Sequence, residues 1–207
     1  MSGSSGLRGH RIQNVEKAEG RRREILVAAA AVFARDGFAS ASLDDVAARI
    51  GVTKGVIYYY FRSKEEIFTE IRATAIRDAI ERLEAILAAG GSPEQRLRAA
   101  IRDLVDHIFD DLDRYANVLN AERLSPESHA TVRELQRRYE RLIREIVAEG
   151  IRTGVFADRD PKIMTFTMLR ACLAIAGWYA ADGPLPAELV AEQVTDQVVN
   201  GVLKRGS

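Results

Sequence analysis

The side chains best suited to a binding function lie between Leu43 and Lys64, where two short predicted helices meet at Gly51. Hydroxyl, cationic and aromatic groups are the types that reach the phosphates and base edges of DNA. The outward face of the second helix carries all three types, in Thr53, Lys54, Tyr58 and Tyr59. Lys64 begins the next helix, where an ammonium and free backbone N–H groups together suit a phosphate. The pattern predicts a nucleic-acid interface, although basic residues on short helices also occur on merely solvated faces.

A second candidate for chemistry is the acidic cluster around His107. Asp103, His107 and Asp111 recur every four residues and so share one helix face, a spacing that could hold a divalent metal. The same spacing is typical of a solvated face or of a structural histidine beside an acid. The sequence has no nucleophile elbow, P-loop, H-E-x-x-H or paired-cysteine motif. We predict no enzyme activity, no catalytic residue, no metal and no cofactor; the alternatives are a helical enzyme, a metal-binding protein or a dimeric scaffold without DNA binding.

Helix signals follow one another along the chain and predict an all-α fold of about nine helices. Ser42, with Asp45 three residues later, forms a capping box that starts the first helix of the pair. Two short helices joined at a glycine form a helix-turn-helix, whose second helix enters the major groove. The predicted organisation is a disordered tail over residues 1–18, a three-helix helix-turn-helix domain over 19–66 and a C-terminal helical domain over 67–205.

Charge is distributed unevenly along the 207 residues, which carry 30 basic and 30 acidic side chains. Residues 1–62 hold 10 basic and 6 acidic residues, whereas residues 63–207 hold 20 and 24. A basic front and an acidic rear suggest two functional halves, although a difference of this size also arises by chance. The single cysteine, Cys172, excludes a disulfide framework, and no apolar stretch reaches the ~18 residues of a membrane span. We predict a cytoplasmic protein with no membrane partner.

The stretch SLDDVAARIGVTKGVIYYYFRSKEEIF resembles the DNA-binding signature of the TetR family of repressors, and the resemblance covers residues 21–70. It implies an all-α homodimer whose first three helices bind double-stranded operator DNA and whose later helices hold a small-molecule effector and the dimer contact. Tyr60 departs from the family pattern, which often has histidine there. For Gly55 the resemblance leaves two readings, a close backbone approach to DNA or a packing role. Carried over by position, the implied DNA contacts are Ser42, Thr53, Lys54, Gly55, Tyr58, Tyr59 and Lys64.

The C-terminal half is similar to one branch of this family, through EGIRTGVF, Asp160-Pro161 and the later Trp178-Tyr179. That branch responds to acyl-CoA thioesters, so the resemblance implies a largely apolar effector that releases the repressor from a pseudo-palindromic operator. The rival interpretation is a sensor of the drug-efflux type. Arg170 interrupts an apolar run, which predicts a buried arginine paired with either a helix acid or an anionic ligand. The predicted effector residues are His107, Asn120, Arg123, Tyr139, Met168, Arg170 and Trp178.

Valines recur every four residues along the last predicted helix, which follows a helix that is apolar nearly all round. Two such helices present more apolar surface than one small core can cover. We therefore predict a four-helix contact with the matching helices of a second copy, which gives a dimer with two-fold symmetry. The predicted contact residues are Val190, Val194, Val198 and Val202.

Overall fold

The computed structural model describes residues 5–110 and 125–204. Apart from one isolated bridge, every regular element in those ranges is a helix, which confirms the predicted all-α fold. The chain divides into an N-terminal unit up to Ile71 and a C-terminal unit from Arg72 onwards. The helices are α1 (Ser5–Ser40), α2 (Leu43–Arg49), α3 (Lys54–Tyr60), α4 (Lys64–Ala88), α5 (Pro93–Asp110), α6 (Pro126–Arg152), α7 (Pro161–Leu173), α8 (Ile175–Trp178) and α9 (Ala187–Asn200).

The first helix is longer than the sequence predicts. α1 begins at Ser5, inside the predicted tail of residues 1–18. The stretch contains no proline, and its Arg, Gln, Glu and Lys residues have favourable helix propensities. Near its other end, α1 is broken at Gly37, whose φ of 76° lies in the left-handed region that suits glycine. The chain can therefore turn at Gly37 into the segment that leads to α2.

The core of the N-terminal unit combines one face of α1 with α2, α3 and the start of α4. Beyond the break at Gly37, Phe38 returns to this core and meets two other rings. Its ring centroid lies 5.6 Å from that of Phe33 and 4.5 Å from that of Phe68. Aromatic contacts of this kind add to the stability given by burial. The fully buried aliphatic residues around them include Ile25, Ala29, Val46, Ile57 and Ile67.

The C-terminal unit is built around α5, whose apolar face is buried against α6, α7 and α9. Its other face is fixed by ion pairs to two of these helices. Arg98 donates to Asp196 and Arg102 donates to Glu188 at 2.8 Å, both on α9. Arg96 lies 2.7 Å from Glu149 on α6, and this pairing lowers the pKa of the Glu149 carboxyl. Helix α5 is therefore held on its neighbours by charge as well as by apolar packing.

A short antiparallel pairing, which we call the closing bridge, joins residues 155–157 to residues 202–204. The N–H of Ala157 donates to Val202 O at 2.9 Å, and the N–H of Lys204 donates to Val155 O at 3.0 Å. Phe156, which is buried, fills the space above Gly150; a Cβ on Gly150 would lie 2.0 Å from the Phe156 Cδ2. Glycine at position 150 is therefore what lets this ring enter the core.

The one cysteine of the sequence, Cys172, lies in the core of the C-terminal unit. Cys172 is fully buried, and burial raises the pKa of its thiol to about 12 because a thiolate is poorly solvated there. It is therefore a protonated core residue near neutral pH rather than a nucleophile. Among the helices of the described ranges, none is long and apolar enough to cross a membrane.

Candidate functional site

Helix α2 begins with the capping box that the sequence predicts. The Asp45 N–H donates to Ser42 Oγ at 3.1 Å, and the Ser42 N–H donates to Asp45 Oδ2 at 3.3 Å. The Ser42 hydroxyl also donates to Asp45 Oδ2, at 2.5 Å. Ser42 thus fixes where α2 begins, and its predicted contact with DNA remains a prediction.

The turn between α2 and α3 depends on Gly51, which has a φ of 67°. Its N–H donates to Ala48 O at 3.3 Å, and the N–H of Val52 donates to Ala47 O at 3.0 Å. These two bonds form a Schellman motif, which ends a helix with one residue in the left-handed region. The turn fixes the angle at which α3 leaves α2, as a helix-turn-helix requires.

Helix α3 is anchored by one residue and exposes its tyrosines. Ile57 is fully buried, whereas Tyr59 is 83% exposed and Tyr58 is 51% exposed. Tyr60 is half-buried, with its ring centroid 5.0 Å from that of Tyr59. Two aromatic rings with free hydroxyl edges on one turn of helix make a surface suited to base edges and sugar–phosphate backbone.

The start of α3 is also exposed, at Thr53, Lys54 and Gly55. A Cβ placed on Gly55 would meet only Thr53 Oγ1, at 3.7 Å, which is an ordinary contact. Packing within the protein therefore does not require glycine here, and the close approach of DNA to the Gly55 backbone remains a prediction. Thr53 occupies the N-cap position of α3 but makes no side-chain capping bond, so its hydroxyl is not used to begin the helix.

Lys54 forms an ion pair across the helix-turn-helix. Its Nζ donates to Asp44 Oδ2 at 2.7 Å, and both side chains are substantially exposed. The hydrogen bond that Lys54 donates to Asp44 raises the pKa of the Lys54 ammonium, because it favours the charged form. Lys54 is a contact that its residue type and position predict, whereas its acidic partner lies ten residues earlier, on α2, and has no signal in the local pattern.

The Lys64 side chain makes contacts within the N-terminal unit that the sequence does not predict. Its Nζ donates to the carbonyls of Phe38 at 2.6 Å, Ala39 at 3.2 Å and Ala41 at 2.8 Å, and it lies 4.7 Å from the centroid of the Phe38 ring. An ammonium has three N–H donors, and these carbonyls use all three. In the free protein the Lys64 ammonium is therefore bound at the end of α1, and its predicted phosphate contact remains a prediction.

Those predicted effector residues that the structure describes do not come together as one group. Met168 and Tyr139 are buried in the core of the C-terminal unit, and Trp178 is 54% exposed. His107 is partly exposed, and its Nδ1 lies 2.7 Å from Asp103 O in its own helix. The Asp103 carboxylate meets Arg82 Nε at 3.0 Å, an arrangement typical of a structural ion pair rather than of a metal ligand. Three residues of the two predicted clusters lie outside the described residues: Asp111, Asn120 and Arg123.

The prediction that Arg170 is buried is wrong. It is exposed, on the same face as Ile163, Ala171 and Trp178. An apolar run on a helix shows that much of its circumference is apolar, but it does not show which face meets the protomer's own core. Because Arg170 is solvated, burial does not oblige it to have an acidic partner.

The predicted dimer contacts lie mainly within the protomer. Val190 and Val202 are buried, and Val194 and Val198 are partly buried against the core of the C-terminal unit. Packing within the C-terminal unit therefore accounts for the burial of these valines, and their part in a dimer contact remains a prediction. The apolar side chains that α7 and α8 leave exposed are different ones, including Ile163 at 68% and Trp178.

Two family descriptions match the chain over most of its length. Residues 25–71 match the bacterial regulatory proteins of the tetR family, and residues 90–202 match the tetracyclin repressor-like C-terminal domain. The chain belongs to the TetR family. TetR proteins are ligand-responsive DNA-binding regulators, most of them repressors, so this member is a transcriptional regulator and not an enzyme.

Individual TetR proteins are similar along almost the whole chain. A TetR/AcrR family regulator of Thermobifida fusca is 38% identical, with a TM-score of 0.76 over 89% of this chain and 100% of that chain. The transcriptional repressor KstR2 of Mycobacterium tuberculosis is 26% identical over 191 residues, which cover 90% of this chain and 94% of KstR2. FadR of Bacillus subtilis, solved in complex with stearoyl-CoA, is 22% identical, with a TM-score of 0.74 over 87% of this chain and 98% of FadR. The likeness to FadR shows a shared fold.

Proposed function

We propose that this TetR protein represses transcription by placing α3 in the major groove of a pseudo-palindromic operator. The observation that carries the proposal is the exposed face of α3, where Tyr58, Tyr59 and Thr53 project from a helix anchored by the buried Ile57. Tyrosine and threonine hydroxyls bond to base edges and phosphates, and the tyrosine rings add apolar contact.

The Tyr59→Ala variant tests this placement of α3. Loss of the ring should weaken binding to the operator roughly 5- to 30-fold, as expected for one base-reading contact. Binding to a duplex of scrambled sequence should change less than about twofold, because that complex depends on phosphates. Fluorescence anisotropy titrations on both duplexes measure the two effects, with the operator recovered by selection from a random pool. Tyr59→Phe separates the hydroxyl from the ring. Equal losses on both duplexes would instead assign Tyr59 to the DNA backbone.

A palindromic operator requires a dimer. We propose that two copies of the protein pair through the exposed side of α7 and α8. The spacing of Ile163, Thr167, Ala171, Ala174 and Trp178 places them along one helix face, and all five are exposed in the protomer. Exposed apolar surface of this kind marks an interaction site, and small residues in its middle allow two helices to approach closely. The same face on a second copy completes a two-fold contact. Two half-sites about one helical turn apart, ~34 Å or a multiple of it, would then match the two reading helices.

The effector that we propose is a fatty-acyl-CoA thioester or a similar amphipathic acid. This rests on the fold shared with FadR, which binds stearoyl-CoA, and on the apolar core residues that surround Tyr139 and Met168. Its phosphates would need a cation, for which Arg123 is the remaining predicted candidate, since Arg170 lies on the proposed dimer face.

Titration of the protein–operator complex with acyl-CoA thioesters of increasing chain length tests this effector class. We expect release of the operator, and by linkage the thioester must bind free protein more tightly than the DNA complex by the same factor. Free CoA is the matched control, because it carries the phosphates without the acyl chain. Release by a panel of cationic drugs but by no thioester would replace this effector class with the drug-efflux type. Release by neither would overturn the proposed effector and leave the DNA-binding role intact.

A further inference from the structure

Helix α3, which we propose to lie in the major groove, carries very little charge of its own. Between Lys54 and Tyr60, Lys54 is the one basic residue and no residue is acidic. The ammonium of Lys54 is 2.7 Å from the Asp44 carboxylate, and the side chains of the pair are 43% and 66% exposed, respectively. The charge with which α3 could attract a phosphate is therefore compensated by α2 while the protein is free.

We propose that Asp44 is a specificity-determining residue, which restrains the attraction of α3 for the DNA backbone and so raises the preference for operator over other DNA. The inference rests on the placement of α3 proposed above. For Lys54 to reach a phosphate, it must either leave Asp44 or bring the carboxylate with it. In the first case an exposed carboxylate is left beside phosphates, and in the second case the pair has no net charge. Both reduce the counterion release that drives non-specific binding.

This restraint acts unequally on the two kinds of DNA because the register is fixed in only one of them. On the operator, base contacts from the face of Tyr58 and Tyr59 determine where the protein lies, so Lys54 meets whatever phosphate that register brings near. On any other sequence the protein is free to settle where phosphate contacts are best. A freed ammonium would therefore be used fully on non-specific DNA and only in part on the operator.

Asp44 can be changed without disturbing the helix that carries it. The capping box of α2 is formed by Ser42 and Asp45, and Asp44 takes no part in it. Asp44→Asn keeps the size of the side chain and removes its charge. Circular dichroism and the unfolding midpoint should be close to those of the unmodified protein, because exposed ion pairs contribute little to stability.

The expected result is a loss of discrimination with a gain in affinity. Asp44→Asn should strengthen binding to a scrambled duplex by at least about fivefold. The slope of log K against log salt concentration for this duplex should steepen by about 0.9 for each lysine released. Operator binding should strengthen by a smaller factor, so that the ratio of the two affinities falls. Anisotropy titrations between ~50 and ~200 mM salt measure both quantities on the full-length protein.

Two controls make the test specific to the pair. Glu134→Gln removes one exposed negative charge in the C-terminal unit, where Glu134 lies 3.7 Å from Arg137, and it should leave the affinity ratio unchanged. Adding Lys54→Gln to Asp44→Asn should remove the gain on scrambled DNA, because the gain depends on the freed ammonium. If the gain survives in the double variant, or if Glu134→Gln reproduces it, the effect is one of net charge and the proposal is overturned.

Other outcomes are equally decisive. An unchanged affinity and salt slope for scrambled DNA in Asp44→Asn would overturn the restraint, as would equal gains on both duplexes. The Tyr59→Ala variant tests the placement of α3 separately. If α3 does not lie in the major groove, this variant should leave operator binding unaffected. If Asp44→Asn changes nothing while Tyr59→Ala still weakens operator binding, α3 contacts the operator but Asp44 does not restrain its attraction for the DNA backbone.

Discussion

The Ala171→Arg variant is expected to sediment as a monomer under conditions in which the unmodified protein sediments as a dimer. Ala171 lies in the middle of the exposed side of α7, between Thr167 and Ala174. In a two-fold contact, each arginine would face its own symmetry copy and bring two like charges into apolar surroundings. Operator affinity should fall by about 100-fold or more, because two half-sites would no longer be bound by one particle. Sedimentation equilibrium and anisotropy measure these effects.

The controls for this variant follow from the burial of nearby residues. Ala130→Arg introduces the same change at an exposed position on α6 and should leave both assembly and DNA binding intact. Val198→Glu is a poor probe, since Val198 packs partly against the protomer's own core and a charge there would also destabilise the unit. A protein that is monomeric at micromolar concentration without any substitution, or an Ala171→Arg protein that stays dimeric, would remove α7 from the interface.

Replacing Lys64 by methionine is expected to destabilise the N-terminal unit without altering the salt dependence of DNA binding. Methionine keeps the aliphatic stem beside Phe38 but leaves three carbonyls at the end of α1 without their donor. Losing charge-assisted bonds at this partly buried site should cost about 2–3 kcal/mol of the free energy of unfolding. Urea denaturation measures that loss, and hydrogen exchange should show faster opening of α2 and α3.

The slope of log K for DNA binding against log salt concentration separates the contact of Lys64 with these carbonyls from the predicted phosphate contact. A phosphate-binding lysine would reduce the slope by about 0.9 when removed, with little effect on folding. Lys54→Met is the matched control, because Lys54 is an exposed lysine in the same unit and its ion pair contributes only about 0–1 kcal/mol. A Lys64→Met protein as stable as Lys54→Met, with a lower slope than the unmodified protein, would restore Lys64 to the DNA contacts.

Local features of this protein were predictable from its sequence because their signals are local. Ser42 and Asp45 are three residues apart, and a capping box requires only that spacing. Asp160-Pro161 opens α7 for the same reason, since the aspartate accepts from the N–H groups of Lys162 and Ile163. The order and spacing of residues from Ser42 to Lys64 likewise predict the helix-turn-helix and the exposed positions of Tyr58 and Tyr59.

The roles that sequence could not predict depend on contacts between distant residues. Lys64 is 26 residues from Phe38, and nothing in either local pattern indicates that a break at Gly37 turns three carbonyls towards it. Arg170 and the valines of α9 illustrate a second difficulty. Periodicity shows which side chains share a face, but it does not show whether that face meets the protomer's own core or solvent. For Val190 and Val202 it is their burial in the folded unit that shows which surface they meet.

The closing bridge has a consequence for synthesis on the ribosome. The contacts of the N-terminal unit are complete once residue 71 has emerged, so this unit can fold while the remainder is being translated. The C-terminal unit cannot do so, because α9 covers α5 and residues 202–204 pair with residues 155–157. Until α9 leaves the exit tunnel, only α6 and α7 can cover the apolar face of α5. The nascent chain therefore passes through a stage with a finished N-terminal unit and a C-terminal unit that still lacks α9 and the closing bridge.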